Sequence, residues 1–239
     1  MAASQAGKER RAVRTERDIY RAAVELISAR GYHGTSLRSV AAAVGMQMSS
    51  LYYYFPSKQD LLVEIMTRSM QELITAVEAA VQSSGQGPEQ RLRAAISGHI
   101  LFHAERRDEA FILDNELRAL EPSGRKLIIK LRDRYEEIFS DILGEGAERN
   151  VLAVPDTKLA VFALLAMCTG VASWYRPGQK FSLEQIAEIY TEMALNGLLA
   201  ETPREAEGLG SSEPYARSPS LLRSNGIGRG RGRGPRGRK

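Results

Sequence analysis

The chain has 239 residues, 43% of them apolar and 26% charged, a balance that excludes a disordered, collagenous or disulfide-stapled protein and allows one or two domains with a sizeable core. Its net charge of +4 is uneven, with nine Lys/Arg against five Asp/Glu in residues 1–60, fifteen against twenty in 61–200, and nine against four in 201–239. A basic head and tail suited to a polyanion therefore flank an acidic middle, and the single cysteine, Cys168, leaves neither an intramolecular disulfide nor a thiolate zinc cluster to be built.

The opening MAASQAGKERR runs into charged, helix-forming sequence without an apolar h-region, so a cytoplasmic location is expected. Ile19, Ala22, Ala23, Leu26 and Ile27 repeat at helical spacing, predicting a first helix from about Lys8 to Arg30 that stops at Gly31. Thr35 is expected to cap a short second helix whose stripe is Leu37, Val40, Ala41 and Val44 and which ends at Gly45. A third short helix is read from about Met48 to Phe55, closed by Pro56. Ser57 and Asp60 form a capping pair that opens a long fourth helix through Leu61, Ile65, Leu73 and Val77. Pro88 starts a fifth, to about Glu105, followed by helices at about 108–120, 123–143, 156–173 and 182–199, the last opened by a Ser182–Gln185 box. The expected fold is all-α with about nine helices. After Leu199 the chain turns to Pro, Gly, Ser and Arg and ends GIGRGRGRGPRGRK, a composition expected to be disordered, serving either as a set of phosphate contacts or as a solvated tail.

Thr35 to Phe55 has the anatomy of a helix-turn-helix, with Ala41, Ala42 and Ala43 where helices must approach and a glycine in the turn. Gln47, Ser49 and Ser50 place short polar groups at the start of its second helix, where they can reach base edges. Tyr52, Tyr53, Tyr54 and Lys58 follow with groups that suit phosphate. The run GYHGTSLRSVAAAVGMQMSSLYYYFPSKQDLL, residues 31–62, resembles the DNA-binding motif of the TetR/AcrR family of transcriptional repressors. The resemblance implies an α-helical homodimer whose three-helix N-terminal domain, residues 1–60, binds operator double-stranded DNA, and whose domain at 61–200 takes a small-molecule effector and dimerises; 201–239 remains as the basic tail. Carried over by position, Thr35 and Ser36 would contact phosphate and Arg38 a base or phosphate. Gln47, Met48, Ser49 and Ser50 would face the major groove, and Tyr52, Tyr54 and Lys58 would hold the backbone. Tyr53 stays open between backbone contact and core. Gln47 stands where relatives often have a better N-cap, and Met48 where they often have a polar or basic residue, which suits contact with a thymine methyl.

The uncharged run LAVFALLAMCTGVASWY, residues 159–175, approaches the length of a membrane span but is read as a dimer face, with no membrane involved. Ala160, Ala163, Ala166 and Gly170 permit close approach there, and Ile186, Ile189, Tyr190 and Met193 supply the second helix's face. The stretch GVASWYRPGQKFSLEQIAEIY resembles TetR-like regulators of fatty-acid, steroid or other acyl-CoA metabolism. That resemblance implies an acyl-CoA effector, with Phe102, Phe111 and Leu113 along its chain, Trp174 on its adenine and Arg176 at a phosphate, against core packing and a helix-end charge as the plainer alternative. His99 and His103 sit one helical turn apart, either as a solvated or hydrogen-bonded pair or as two metal ligands without a third; no metal and no cofactor are expected. Cys168 reads as a small buried hydrophobe. Phosphate-loop, dinucleotide-binding, nucleophile-elbow and zinc-protease motifs are all missing, so an enzyme is not expected. The alternatives are an all-helical metabolic enzyme or a nonspecific nucleic-acid-binding protein.

Overall fold

The computed structural model describes the backbone of residues 2–198 and the side-chain surroundings of residues 12–198; the basic stretch 201–239 lies outside the described residues. Helix α1 (Ala2–Gly34) buries Ile19, Ala23 and Ile27. Gly31 interrupts it with φ 73° and ψ 162°, a conformation open in practice to glycine alone, so the expected stop is observed and Tyr32–Gly34 form a separate last turn.

Helix α2 (Leu37–Ala43) is capped by Ser36, one residue later than expected. The Ser36 hydroxyl accepts from the Ser39 amide and the Ser39 hydroxyl accepts from the Ser36 amide, both at 3.1 Å. Thr35 is instead buried, and its hydroxyl donates to the carbonyls of Gly31 and Leu26 at 3.0 and 3.1 Å, satisfying backbone acceptors near the end of α1. Gly45, at φ 67°, turns the chain into α3 (Met48–Tyr54), whose first residue follows Gln47 without a side-chain cap. Helix α4 (Lys58–Ser83) begins at Ser57, whose oxygen accepts from the Asp60 amide at 3.0 Å and donates to the Asp60 carboxylate at 2.7 Å.

The remaining elements are α5 (Pro88–Glu105), α6 (Arg107–Asn115), a 3₁₀ turn (Leu117–Ala119), α7 (Pro122–Glu148), α8 (Thr157–Thr169), α9 (Val171–Trp174) and α10 (Leu183–Leu198). The helix expected at 156–173 is thus divided at Gly170, and the one expected at 108–120 finishes as a 3₁₀ turn. Asp156 caps α8 through the Leu159 amide at 2.9 Å, and Ser182 and Gln185 cap α10 reciprocally at 2.9 and 3.2 Å. The all-α class follows.

Helix α5 packs on α4, α7, α8 and α10, whereas α1 packs on α2, α4 and α6. Ile65, Met66, Leu92, Ile96, Ile100 and Phe139 are fully buried where these helices meet, each stabilising the core by about 1.5–3 kcal/mol. Arg93 joins α5 to Glu188 and Glu192 of α10 at 2.9 and 2.6 Å, a part-exposed network that fixes register more than it stabilises. Cys168 is buried, and burial pushes its thiol up to about 12, in keeping with a small hydrophobe. The segment Thr157–Trp174 has a mean hydropathy of 1.5 and by length and composition alone could cross a bilayer. Val161, Leu164 and Cys168 pack into the protein while Leu159 and Phe162 stay exposed, which is the pattern of a helix with one face inward and one face unpartnered.

Candidate functional site

Two buried anchors, Leu51 and Phe55, hold α3 to the scaffold, and the rest of the helix surface follows from them. Gln47, Ser49, Ser50, Tyr52 and Tyr53 are exposed, as are Ser36 and Arg38 on the neighbouring helix. Tyr53, left open by the sequence, is 83% exposed against 50% for Tyr52, so it is surface rather than core. Met48 and Tyr54 are half-buried against the core, and the Tyr54 ring meets Tyr53 edge-on at 5.4 Å. Hydroxyls and a carboxamide so arranged can donate to phosphate oxygens and both donate to and accept from base edges.

Two expected phosphate contacts are not brought to this surface. Thr35 turns its hydroxyl inward, as described above. The Lys58 ammonium donates to the carbonyls of Tyr32 and Thr35, both at 2.8 Å, and lies 4.0 Å from the centre of the Tyr32 ring. Those contacts use the cation to close the turn between α1 and α2. Other groups do border the surface: Thr15 and Asp18 of α1 line a groove with Gln47 and Ser50, and Arg14 and Arg21 line its neighbour with Ala43 and Val44. Apolar spacing along the first helix says nothing of these arginines, which bear on the site only through their place in the fold.

The head meets the remaining helices through a polar joint. Ser28 donates to Asp108 at 2.7 Å, and the Tyr32 amide donates to Glu116 at 2.9 Å. The Gln59 amide nitrogen donates to the Tyr32 hydroxyl and the Ala119 carbonyl, both at 2.8 Å, while its oxygen accepts from the Glu121 amide at 3.1 Å.

Beside that joint lies a cavity of about 730 Å³ lined by Ser28 of α1, by Arg107, Asp108 and Phe111 of α6, and by Ser173 and Arg176 at the end of α9. Arg107 donates to the Ala172 carbonyl at 3.0 Å and Arg176 to the Tyr175 carbonyl at 2.7 Å. A smaller chamber of about 140 Å³ lies between α4, α5, α6, α7 and α8, and Asp114, Leu165 and Thr169 line both spaces. Of the residues expected around an effector, Phe111 and Arg176 line the larger cavity and Leu113 the smaller. Phe102 and Trp174 line neither: Phe102 is buried with the Arg106 guanidinium 5.1 Å from its ring, and Trp174 is 45% exposed.

The histidine pair is not solvated. His99 is saturated, with Nδ1 2.6 Å from the Tyr135 hydroxyl and Nε2 2.9 Å from the Thr169 hydroxyl. His103 stacks on it at 4.2 Å, and neither of its ring nitrogens has a partner within the protein. Burial, reinforced by His103, holds His99 well below the usual imidazole range, and burial lowers His103 to about 4. Among the described residues no three His, Cys, Asp or Glu side chains gather as a metal site would require.

Both halves of this arrangement match profiles of one family. Residues 19–65 match the profile described as "Bacterial regulatory proteins, tetR family", and residues 85–198 match "Tetracyclin repressor-like, C-terminal domain". The chain belongs to the TetR family. Among solved structures, the TetR-family regulator PfmR from Thermus thermophilus is 31% identical with a TM-score of 0.69, over 75% of this chain and 97% of that one. AibR, solved in complex with isovaleryl coenzyme A and operator DNA, is 28% identical with a TM-score of 0.69 over the same shares, 75% and 97%. FadR from Bacillus subtilis, solved in complex with stearoyl-CoA, is 25% identical with a TM-score of 0.63, again over 75% and 97%. TetR-family proteins are DNA-binding transcriptional regulators, typically dimeric and ligand-responsive.

Proposed function

We propose that this TetR-family protein is a homodimeric, cytoplasmic repressor that leaves a palindromic operator when a small hydrophobic effector, an acyl-CoA, binds it. Residues 1–60 form the DNA-binding domain, 61–200 the effector-binding and dimerisation domain, and 201–239 a basic tail that adds contacts without sequence preference. In this reading Gln47, Ser49 and Ser50 meet base edges in the major groove. Ser36, Arg38, Tyr52 and Tyr53 meet the backbone, with Met48 and Tyr54 at the margin.

Dimerisation is supported by the hydrocarbon left exposed on α8 and α10: Leu159 is 67% exposed, Phe162 44%, Ile189 43% and Met193 61%. Pairing that patch with its twofold copy would cover it. Ile186, expected on the same face, is buried within the subunit instead. The two recognition helices would then stand about 34–36 Å apart, the spacing of successive major grooves on one side of the duplex.

The observation that carries the effector reading is that Ser28 both lines the 730 Å³ cavity and holds the joint to α6 through Asp108. A ligand there competes directly with a head-positioning contact. Phe111 offers an apolar wall, and Arg107 and Arg176 offer cations to phosphate. Two neighbours, AibR and FadR, bind acyl-CoAs. Release is a population shift of about 5–150-fold in operator affinity, and the operator must weaken the effector by the same factor. Footprinting of the DNA flanking its gene, with and without acyl-CoAs of varied chain length, tests this. One short protected palindrome that is freed by a thioester is expected; diffuse protection, or protection no thioester alters, refutes the repressor or the effector assignment respectively.

A further inference from the structure

Resting on the acyl-CoA reading, we propose that the chamber around His103 selects an acyl chain carrying an uncharged hydroxyl near its buried end over the corresponding plain alkyl chain. An apolar chain would be served by an apolar chamber, and part of this one is apolar: Met70, Leu73, Leu113 and Leu165 line it. His103 stands among them with 4% exposure and two unpartnered nitrogens. A neutral imidazole presents one N–H and one lone pair, and leaving either unmatched in a buried place costs about 1–3 kcal/mol. The neighbouring ring cannot help, because both nitrogens of His99 are engaged by Tyr135 and Thr169.

A hydroxyl both donates and accepts, so it can pair with whichever one of the two His103 nitrogens it reaches, in either tautomer. Charge at the same wall argues against a carboxylate. Asp114 and Glu136 line the chamber with Arg132, which also donates to the Leu113 carbonyl, so an added carboxylate would meet two acids against one cation. An ammonium would be drawn to those two acids rather than to His103, whose ring offers it one lone pair at most. Burial keeps that ring neutral, consistent with its lowering to about 4. The chamber's 140 Å³ has room for about four or five groups the size of water, enough for the end of an acyl chain and its hydroxyl. Asp114, Leu165 and Thr169 line both chamber and outer cavity, so one ligand can place its nucleotide outside and its chain end within.

Calorimetric titration of the full chain with paired thioesters, plain and ω-hydroxylated, from butanoyl-CoA to dodecanoyl-CoA tests this. At one chain length or a narrow range of lengths the hydroxylated member should bind about tenfold or more tightly, and His103→Leu should abolish or reverse that preference. His103→Gln, which keeps a donor and an acceptor, should retain it; thermal melts of both variants show whether each is folded. The wild-type comparison stands without any variant. Thioesters that bind with no hydroxyl preference at any length overturn the chamber's selectivity and leave the effector class intact. If no thioester of either series binds, both fall. A preference that persists in folded His103→Leu overturns the role of His103.

Discussion

Helix α3 and the α8–α10 pair both push large side chains into solvent, and the chemistry of those side chains separates them. On α3 the exposed groups include Tyr52 and Tyr53 with Ser49 and Ser50, each bearing a hydroxyl; on α8 and α10 the large apolar ones are Leu159, Phe162, Ile189 and Met193, which bear none. A hydroxylated surface can meet a polyanion because every ring carries its own donor to a phosphate oxygen. A pure hydrocarbon surface gains only by meeting another, and a second copy of the chain supplies one of identical shape. Exposure alone would have classed the two regions together.

The sharpest way to break that distinction is to put a charge on each. Phe162→Glu and Met193→Glu should turn the dimer into a monomer by light scattering at micromolar concentration, with a dissociation constant raised by about 100-fold or more and operator binding lost with it. Tyr53→Glu should abolish DNA binding and leave the dimer's mass unchanged. A dimer that survives both hydrocarbon-face charges would place the interface elsewhere.

Acid should act on neither surface but on the buried histidine pair of α5. The unfolded chain takes up a proton at His103 near pH 6.5, whereas the folded chain refuses it down to about 4. Stability therefore falls as pH drops through that window, by about 3 kcal/mol from His103, with His99 adding in the same direction. Denaturant melts between pH 7 and 4 should show a weaker pH dependence in His103→Phe than in the wild type. Lys58→Met should lower stability by about 1–3 kcal/mol, because two carbonyls at the α1–α2 turn lose a charged donor. A variant with unchanged melting and weakened DNA binding would return Lys58 to the phosphate-binding set. The smallest effects belong to single hydroxyls. Tyr53→Phe should weaken binding about 2- to 10-fold on every sequence, whereas Ser50→Ala should change preference at one base pair in a binding-site selection. Uniform loss from both would erase the division between backbone and base contacts.

What the sequence made legible was local. The Ser57–Asp60 and Ser182–Gln185 caps, Pro88 at a helix start and Gly31 at a helix stop each act within a few residues, so spacing reveals them. Gly170 is different: it stays within the helical region at φ −54°, and spacing alone did not show that it divides α8 from α9. The residues whose partners sequence reasoning missed or left open are those whose partners lie far along the chain. Lys58 bonds carbonyls 26 and 23 residues away, and His99 bonds Tyr135 and Thr169, 36 and 70 residues away. The histidine spacing was plain, but α5 is contacted by α4, α7, α8 and α10, so no helical face of it can be assigned to solvent from periodicity. Thr35 shows the same limit in miniature, since its cap position was read one residue early while its hydroxyl serves the preceding helix.

The joint at Gln59 has a bearing on protein engineering. Its carboxamide grips the Ala119 carbonyl and the Glu121 amide, and Glu116 in return grips the Tyr32 amide. In each of these bonds one partner is main chain, whose chemistry is the same for almost any residue. A DNA-reading module held this way asks its neighbour for a turn of the right shape and for two acids, Asp108 and Glu116. Chimeras that exchange such modules between sensors should therefore succeed when the segment after α6 has the same backbone course and those two acids are kept, even where the rest of the sequence has diverged.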